Sequence, residues 1–241
     1  MKTIKDHDMI LPTMTNQEIS KIAGNDFRLI QSRYFELKAK EYDKIRRRNK
    51  IPKTAIFSRS FEFRTPSKNN WILILGKAPA DKKYKGMESI TFCSLFYYYT
   101  SIGLRVFKII PTGGLAVYNA HFFSRYNERM NLGISSPLDK IKHFFQCNGF
   151  SVGKEIEKDD RIMVFSRCRD GYMLGDYKEP NWIIYKTFIP NNYAWPDQTD
   201  EGEALMKSLM NDIHDDLVLP DFNREMYIHK ADIYDGINIK K

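Results

Sequence analysis

Residues 90–110 read ITFCSLFYYYTSIGLRVFKII, and they set the character of the chain. Aromatic and β-branched residues, which fit a pleated sheet surface, fill both halves of this stretch. A Ser-Ile-Gly turn at 101–103 separates the halves, so Ile90–Tyr99 and Leu104–Ile110 are predicted to form a β-hairpin. The uncharged run here is shorter than the roughly 20 residues of a membrane-spanning helix, which favours the strand interpretation.

Further strands are predicted on both sides of this hairpin. Ala55–Arg64 is an alternating segment, and Trp71–Leu75 is a continuous apolar run suited to a central strand. Later in the chain the predicted strands are Leu115–Tyr118, Arg161–Arg167, Tyr172–Asp176 and Trp182–Ile189. Because tight turns connect several of these strands directly, as at Asp170-Gly171, we expect a largely antiparallel sheet.

The N-terminal region has the signals of helices. Thr15-Asn16-Gln17-Glu18 matches the capping box, in which a hydroxyl and a carboxylate satisfy free backbone amides at a helix start. Apolar residues then recur at close to the helical period as far as Ile45. We expect Gly24 and Asn25 to break this run into a short helix and a longer one, and Pro52 prevents the longer helix from continuing.

Three more helices are predicted beyond the hairpin. The first is Ala120–Asn131. Ser136 caps the second, with Pro137 at its first position, and Asn148-Gly149 ends it. The third, Glu201–His214, begins among carboxylates, which are favourable at a helix N-terminus.

Together these elements predict an α+β fold: an N-terminal helical region, a largely antiparallel sheet flanked by helices, and an acidic helical C-terminal tail. The 241 residues divide by composition into a basic N-terminal helical region at 1–53, an α+β core at 54–196 and an acidic tail at 197–241. The length and the 42% hydrophobic content suit one compact unit with appendages.

The sequence has the features of a protein of the reducing cytoplasm. Its first residues lack the continuous apolar segment of a signal peptide. Cys93, Cys147 and Cys168 are widely spaced and form no Cys-x-x-Cys pair, which argues against a disulfide framework and against a zinc ribbon. There is no Walker loop and no dinucleotide-binding glycine fingerprint. We therefore expect a cytoplasmic protein that contacts no membrane and uses no cofactor and no metal.

The charge distribution points to a polyanionic partner. The net charge is +8, yet residues 197–241 hold 5 Lys/Arg against 11 Asp/Glu, so a basic body ends in an acidic tail. Nucleic acid, with RNA favoured, is the expected partner, although the tail could instead fold back and neutralise part of the body. The candidate nucleic-acid contacts lie in two basic runs, Arg46, Arg47, Arg48 and Lys50, and Lys82, Lys83 and Lys85. The helix dipole, which favours cations at a helix C-terminus, is an alternative explanation of the first run.

One predicted helix carries a chemically useful set of side chains. His121, Arg125 and Arg129 are spaced by four residues and therefore share one helix face. The opposite face is aromatic and apolar, with Phe122, Phe123, Tyr126 and Met130. An imidazole that exchanges protons near neutral pH can accept the 2′-hydroxyl proton of RNA. The two guanidinium groups can hold the phosphate, and no metal is required because RNA supplies its own nucleophile.

The motif His-x-x-x-Arg-x-x-x-Arg followed by Gly-Ile-Ser, from His121 to Ser135, resembles the helix of toxin-like domains in the barnase/RelE/colicin-type ribonuclease superfamily. In that superfamily such a helix precedes an antiparallel sheet that completes the site, and the same order is predicted here. The resemblance implies catalytic roles for His121, Arg125 and Arg129. It also implies that Thr187, on a late strand, lies near the phosphate, and that the partner is an antitoxin-like protein.

Three other interpretations remain open. Glu128 can pair with Arg125 or Arg129, which would make the cluster an ordinary solvated salt-bridge network. Separately, the chain could be a non-catalytic nucleic-acid- or protein-binding module, for instance of a mobile element, that uses the two basic runs. A weaker match, to the carboxylate and lysine sets of Mg²⁺-dependent nucleases, comprises Asp170, Asp176 and Lys178.

Overall fold

The computed structural model confirms the α+β fold. It describes residues 9–47, 56–77, 90–110, 114–149, 151–158, 161–178 and 181–194, and the single residues 196, 200 and 204. The helices and strands of these residues are α1 (Asn16–Arg47), β1 (Ile56–Arg64), β2 (Asn70–Lys77), β3 (Ile90–Thr100), β4 (Gly103–Ile109), β5 (Leu115–Tyr118), α2 (Ala120–Arg129), α3 (Pro137–Asn148), β6 (Ser151–Lys158), β7 (Arg161–Cys168), β8 (Gly171–Lys178) and β9 (Trp182–Pro190). A 3-10 turn at Asn191–Tyr193 follows β9.

The nine described strands form one mixed sheet in the order β1-β2-β3-β4-β5-β9-β8-β7-β6. Neighbouring strands are antiparallel, apart from β5 and β9, which are parallel with Val117 opposite Ile184. The sheet therefore consists of two antiparallel halves that meet at one parallel pair. This pair sets β9 beside β5, the strand that leads directly into α2.

Helices cover both faces of the sheet. On one face, α1 contributes Ile19 and Ile30 to a core that includes Trp71 of β2 and Trp182 of β9. On the other face, Phe122 of α2 and Phe144 of α3 are buried against strand residues that include Tyr118 of β5 and Phe188 of β9. The apolar run of β2 is continuous because its residues enter both cores in turn.

β6 is a strand that the sequence pattern did not predict. It reads SVGKEIEK and lies at the edge of the sheet, where it pairs with β7 from Ser151 opposite Cys168 to Lys158 opposite Arg161. Charged residues are frequent on edge strands because they discourage pairing with other chains. They also leave little hydrophobic alternation to recognise in the sequence.

α1 begins at the predicted capping box. The Thr15 backbone amide donates to Glu18 Oε2 at 2.8 Å, and the Glu18 amide donates to Thr15 Oγ1 at 3.3 Å. The expected break at Gly24 and Asn25 is wrong, since the helix continues to Arg47. A helical glycine costs about 1 kcal/mol relative to alanine. The burial of Ile19 and Ile30 on the sheet offsets that cost.

A buried carboxylate connects α1 to the loop between β1 and β2. Asp26 is 1% exposed. It accepts hydrogen bonds from Thr65 Oγ1 at 3.0 Å, Ser67 Oγ at 2.6 Å, Asn69 Nδ2 at 2.8 Å and Trp71 Nε1 at 3.2 Å. Four donors around one carboxylate replace the water that it loses on folding, which fixes the position of α1 on the sheet.

The two central helices begin and end close to their predicted residues. α2 ends at Arg129, two residues earlier than expected, and Asn131 follows with a φ of 52°. α3 has the predicted cap, because the Asp139 amide donates to Ser136 Oγ at 3.3 Å. At its other end Lys108 Nζ donates to the Gly149 carbonyl at 2.7 Å. α3 is therefore tied at its C-terminus to strand β4.

Most of the predicted acidic tail lies outside the described residues. Of the expected helix Glu201–His214, the structure describes only residue 204, which is helical. Residues 196 and 200 are also helical. Within the part of the chain that the structure covers, no helix is long and apolar enough to cross a membrane.

Candidate functional site

α2 has the amphipathic arrangement that its spacing predicts. Phe122, Phe123 and Tyr126 are buried, at 0%, 2% and 0% exposure. Tyr126 packs edge-on against Phe188 of β9, with ring centroids 5.0 Å apart and planes at 86°. This packing turns the opposite face of α2, with His121, outward at the side of the sheet.

Arg129, at the end of α2, is held by strand β9. One of its Nη atoms donates to Thr187 Oγ1 at 3.2 Å and also to the Phe188 carbonyl oxygen. These contacts join residues that are 58 and 59 positions apart in the sequence. They fix the guanidinium against the sheet, instead of leaving it on a freely moving side chain.

Arg129 and Thr187 lie at a surface depression of about 610 Å³, which we call the α2–β9 depression. It is lined by Glu128, Arg129, Asn131, Thr187, Ile189, Pro190 and Tyr193. The depression joins a cation, a hydroxyl and an aromatic ring in one concave surface.

His121 and Arg125 form a second pair further back along α2. Arg125 Nε donates to His121 Nε2 at 3.2 Å, so this ring nitrogen is the acceptor of the contact. Arg125 also pairs with Glu128, at 3.5 Å between Nη1 and Oε2. Because the Arg125 and Glu128 side chains are 42% and 69% exposed, that ion pair contributes little to stability.

The four predicted catalytic residues thus fall into two pairs. Arg129 and Thr187 meet at the depression, whereas His121 and Arg125 contact each other outside its lining. Tyr193 was missed, because it follows β9 in a Pro-Asn-Asn-Tyr stretch with no pattern that indicates a site. Its position beside Arg129 arises from the tertiary fold.

Beneath α2 lies a polar cluster centred on Asp170. The Tyr126 hydroxyl donates to Asp170 Oδ2 at 3.3 Å and lies 3.1 Å from His143 Nδ1. Asn148 Nδ2 donates to the same carboxylate oxygen at 3.0 Å, and Arg169 Nε donates to Oδ1 at 3.0 Å. Burial raises the pKa of Tyr126 well above its ordinary value, and the nearby carboxylate adds to this. The phenol therefore stays a neutral donor that locks α2 onto the sheet.

The possible magnesium set does not come together. Asp170 precedes β8 and is bound by the groups just named, whereas Asp176 lies near the other end of that strand and pairs with Lys186. The six residue-to-residue steps from Asp170 to Asp176 span about 20 Å of extended backbone. Among the described residues, no group of three or more His, Cys, Asp or Glu side chains could hold a metal ion.

Arg46 and Arg47 form the end of α1. Arg48, Lys50, Lys82, Lys83 and Lys85 lie outside the described residues.

Comparison of the chain with protein-family models, with curated proteins and with solved structures gives no match. The geometry of the site is therefore the basis for inferring function.

Proposed function

We propose that this protein is an endoribonuclease that cleaves RNA without a metal ion. His121 would act as the acid and base, Arg125 and Arg129 would bind the phosphate, and Thr187 would position Arg129. The observation that supports this most directly is the contact between Arg129 and Thr187 at the α2–β9 depression.

Arg129 is suited to phosphate binding because it is oriented before a ligand arrives. A guanidinium has five N–H donors in a fixed fork. The contacts with Thr187 and Phe188 use one nitrogen, so the group retains further donors for phosphate oxygens. A preoriented donor stabilises developing charge without the cost of reorganisation during the reaction.

The contact between His121 and Arg125 supplies the second part of the proposal. Arg125 occupies the lone pair of His121 Nε2 in the free protein. A phosphate that attracts the Arg125 guanidinium would release this nitrogen, because anionic oxygens are stronger acceptors than a neutral imidazole. Substrate binding and activation of the base would then be one event.

In the proposed reaction, His121 Nε2 takes the proton of the 2′-hydroxyl, and the 2′-oxygen forms a bond to phosphorus. The bond from phosphorus to the 5′-oxygen breaks, and that oxygen takes up the proton that His121 had accepted, which returns the imidazole to its starting form. The products are a 2′,3′-cyclic phosphate end and a 5′-hydroxyl end. Arg129 and Arg125 would stabilise the extra negative charge on the phosphate oxygens.

A non-catalytic nucleic-acid-binding module is the second candidate, and one observation favours it. His121 is exposed and lies outside the lining of the depression, while Arg125 already has Glu128 as an ionic partner. A protein of this kind would bind RNA through Arg129 and Thr187 without using the imidazole.

The test is cleavage of a 5′-labelled single-stranded RNA by the full chain in excess EDTA. We expect cyclic phosphate products, and no cut at a position where 2′-O-methyl replaces the hydroxyl. His121→Ala should lower the cleavage rate by roughly 100-fold or more with an unchanged circular dichroism spectrum. Ser124→Ala, an exposed change on the same helix, is the matched control and should keep the full rate.

The outcomes separate the two candidates. Cleavage that His121→Ala leaves unchanged contradicts the proposed role of the imidazole. RNA binding without cleavage by the unaltered chain, with the same affinity in His121→Ala, contradicts the enzyme proposal and supports the binding module.

A further inference from the structure

We infer that Tyr193 stacks on an unpaired nucleobase next to the phosphate bound by Arg129, so that this site takes single-stranded RNA. The inference rests on the proposed function, because it names the form of RNA that the same site accepts.

The first observation is the exposure of Tyr193. Tyr193 is 64% exposed although it lines the α2–β9 depression. A large ring left in water inside a concave surface loses the stabilisation that burial would give it. Such a ring can gain this stabilisation when a flat ligand covers it.

The second observation is the anchoring of the turn that carries Tyr193. The Asn191 backbone amide donates to the Asp170 carbonyl at 3.2 Å, and Asn191 Nδ2 donates to the Arg169 carbonyl at 3.1 Å. The Ala194 amide closes the turn on the Asn191 carbonyl at 3.4 Å. Tyr193 is therefore held on a fixed turn, which reduces the entropy lost when a base stacks on it.

The third observation is the chemistry around the ring. Arg129 supplies donors for a phosphate at the same depression, and Ile189 and Pro190 add apolar surface. Asn131, from the α2 side, carries an amide that can bond to a base edge. A cation, an apolar surface, a ring and an amide are the groups that recognise a nucleotide.

These features favour a single strand over a duplex. In an A-form duplex both faces of each base are covered by neighbouring bases, so an aromatic side chain has no free face to contact. An unpaired base has free faces, and stacking tolerates any base because every base has a π surface. We therefore expect weak sequence preference and strong preference for unpaired RNA.

The experiment measures the dissociation constant by fluorescence anisotropy, with a labelled 2′-O-methyl RNA strand that cannot be cleaved. Tyr193→Ala should weaken binding roughly 10-fold, and Tyr193→Phe should bind as the unaltered chain does. Tyr99→Ala is the matched control, since Tyr99 is 67% exposed on strand β3, and it should have no effect. A strand of abasic units with the same number of phosphates should bind equally to Tyr193→Ala and the unaltered chain.

Arg129→Ala distinguishes this inference from the proposed function. It should weaken binding to both the base-containing and the abasic strand. If Arg129→Ala weakens binding while Tyr193→Ala matches Tyr99→Ala, the stacking site is refuted and phosphate binding stands. A duplex that binds as tightly as the single strand also refutes the inference. If no strand binds and none is cleaved, the proposed function itself fails.

Discussion

Arg129 Nη1 lies 3.2 Å from Thr187 Oγ1, although 58 residues of sequence separate the two side chains. The contact exists because α2 packs across β9, with Tyr126 against Phe188, and because the same guanidinium donates to the Phe188 carbonyl. The position of Arg129 is thus set by the sheet as much as by the helix. In the proposed reaction, the Thr187 hydroxyl would act on the substrate through the arginine that it orients.

This relationship predicts non-additive effects of substitution. Arg129→Ala should lower kcat/KM for RNA cleavage by roughly 100-fold, since it removes a preoriented donor to the phosphate. Thr187→Val, which keeps the shape and removes the hydroxyl, should have a smaller effect. In the Arg129→Ala background Thr187→Val should have no further effect, because its target is gone.

The measurement is a double-mutant cycle on kcat/KM, with thermal unfolding of each variant to establish that it is folded. Two effects that simply add would show that Thr187 contacts the substrate independently, and would contradict the positioning role.

A second prediction concerns Asp26. Asp26→Ala removes the shared acceptor of four buried donors, on Thr65, Ser67, Asn69 and Trp71, of which Thr65, Ser67 and Asn69 keep only bonds among themselves. We expect the free energy of unfolding to fall by at least about 3 kcal/mol, since each unsatisfied buried group costs about 1–3 kcal/mol. Urea denaturation measures this change.

The control for Asp26 is Glu36→Ala, also on α1. The Glu36 side chain is 55% exposed and pairs with the exposed Arg33. Its loss should change the free energy of unfolding by less than about 0.5 kcal/mol. Equal changes in the free energy of unfolding at the two positions would mean that the buried network stabilises the fold no more than an exposed ion pair does.

A third prediction compares two glycines. Gly24 lies inside α1, and a Cβ there would meet nothing within 4 Å, so Gly24→Ala should stabilise the protein by about 1 kcal/mol. Gly103 has a φ of +117°, and a Cβ there would lie 2.7 Å from Ala120 Cβ. Gly103→Ala should destabilise the protein by about 1–3 kcal/mol. Thermal unfolding measures the direction of both changes. A Gly103→Ala variant that is more stable than the unaltered chain would be inconsistent with the positive φ and the close approach to Ala120.

A fourth prediction concerns alkaline pH. Burial raises the pKa of Cys168 from 9.0 to about 12, and burial raises that of Tyr185 from 10.0 to about 12. The unfolded chain therefore releases these protons at lower pH than the folded chain. The contribution of Cys168 and Tyr185 to the free energy of unfolding is fully present below about pH 9 and is lost as the pH rises towards about 12.

Urea denaturation at intervals from about pH 8 to about pH 11 measures this loss. Cys168→Ala should reduce the slope between about pH 9 and pH 10, where the unfolded thiol titrates. A free energy of unfolding that stays constant to about pH 11 would contradict the prediction. The native thiol of Cys168 should also react slowly with disulfide reagents, because the thiolate is the reactive form.

Local signals in the sequence predicted most elements of the structure. The hairpin of β3 and β4, the capping box at Thr15 and the Ser136 cap depend on residues within a few positions of each other, and each is confirmed. The errors arose where a distant contact outweighed a local preference. Gly24 does not interrupt α1 because the helix packs on the sheet, and β6 exists because β7 lies beside it.

The candidate site shows the same division. The spacing of His121, Arg125 and Arg129 predicted one helix face, and Arg125 does contact His121 across one turn. Spacing carries no information on distance across the sheet. It could not show that Tyr193 stands at the depression with Arg129, while His121 lies outside the lining.

The sequence by itself determined an amphipathic α2, a set of mainly antiparallel strands and a basic body with an acidic tail, because hydrophobic period, capping and charge are local properties. Only the tertiary structure decided which groups meet, through the parallel pairing of β5 with β9. That pairing brings the strand before α2 beside the strand that carries Thr187. The energy that favours it comes from burying rings on both faces of the sheet, such as Tyr118 stacked 5.0 Å from Tyr185, a cooperative effect that no short stretch of sequence encodes.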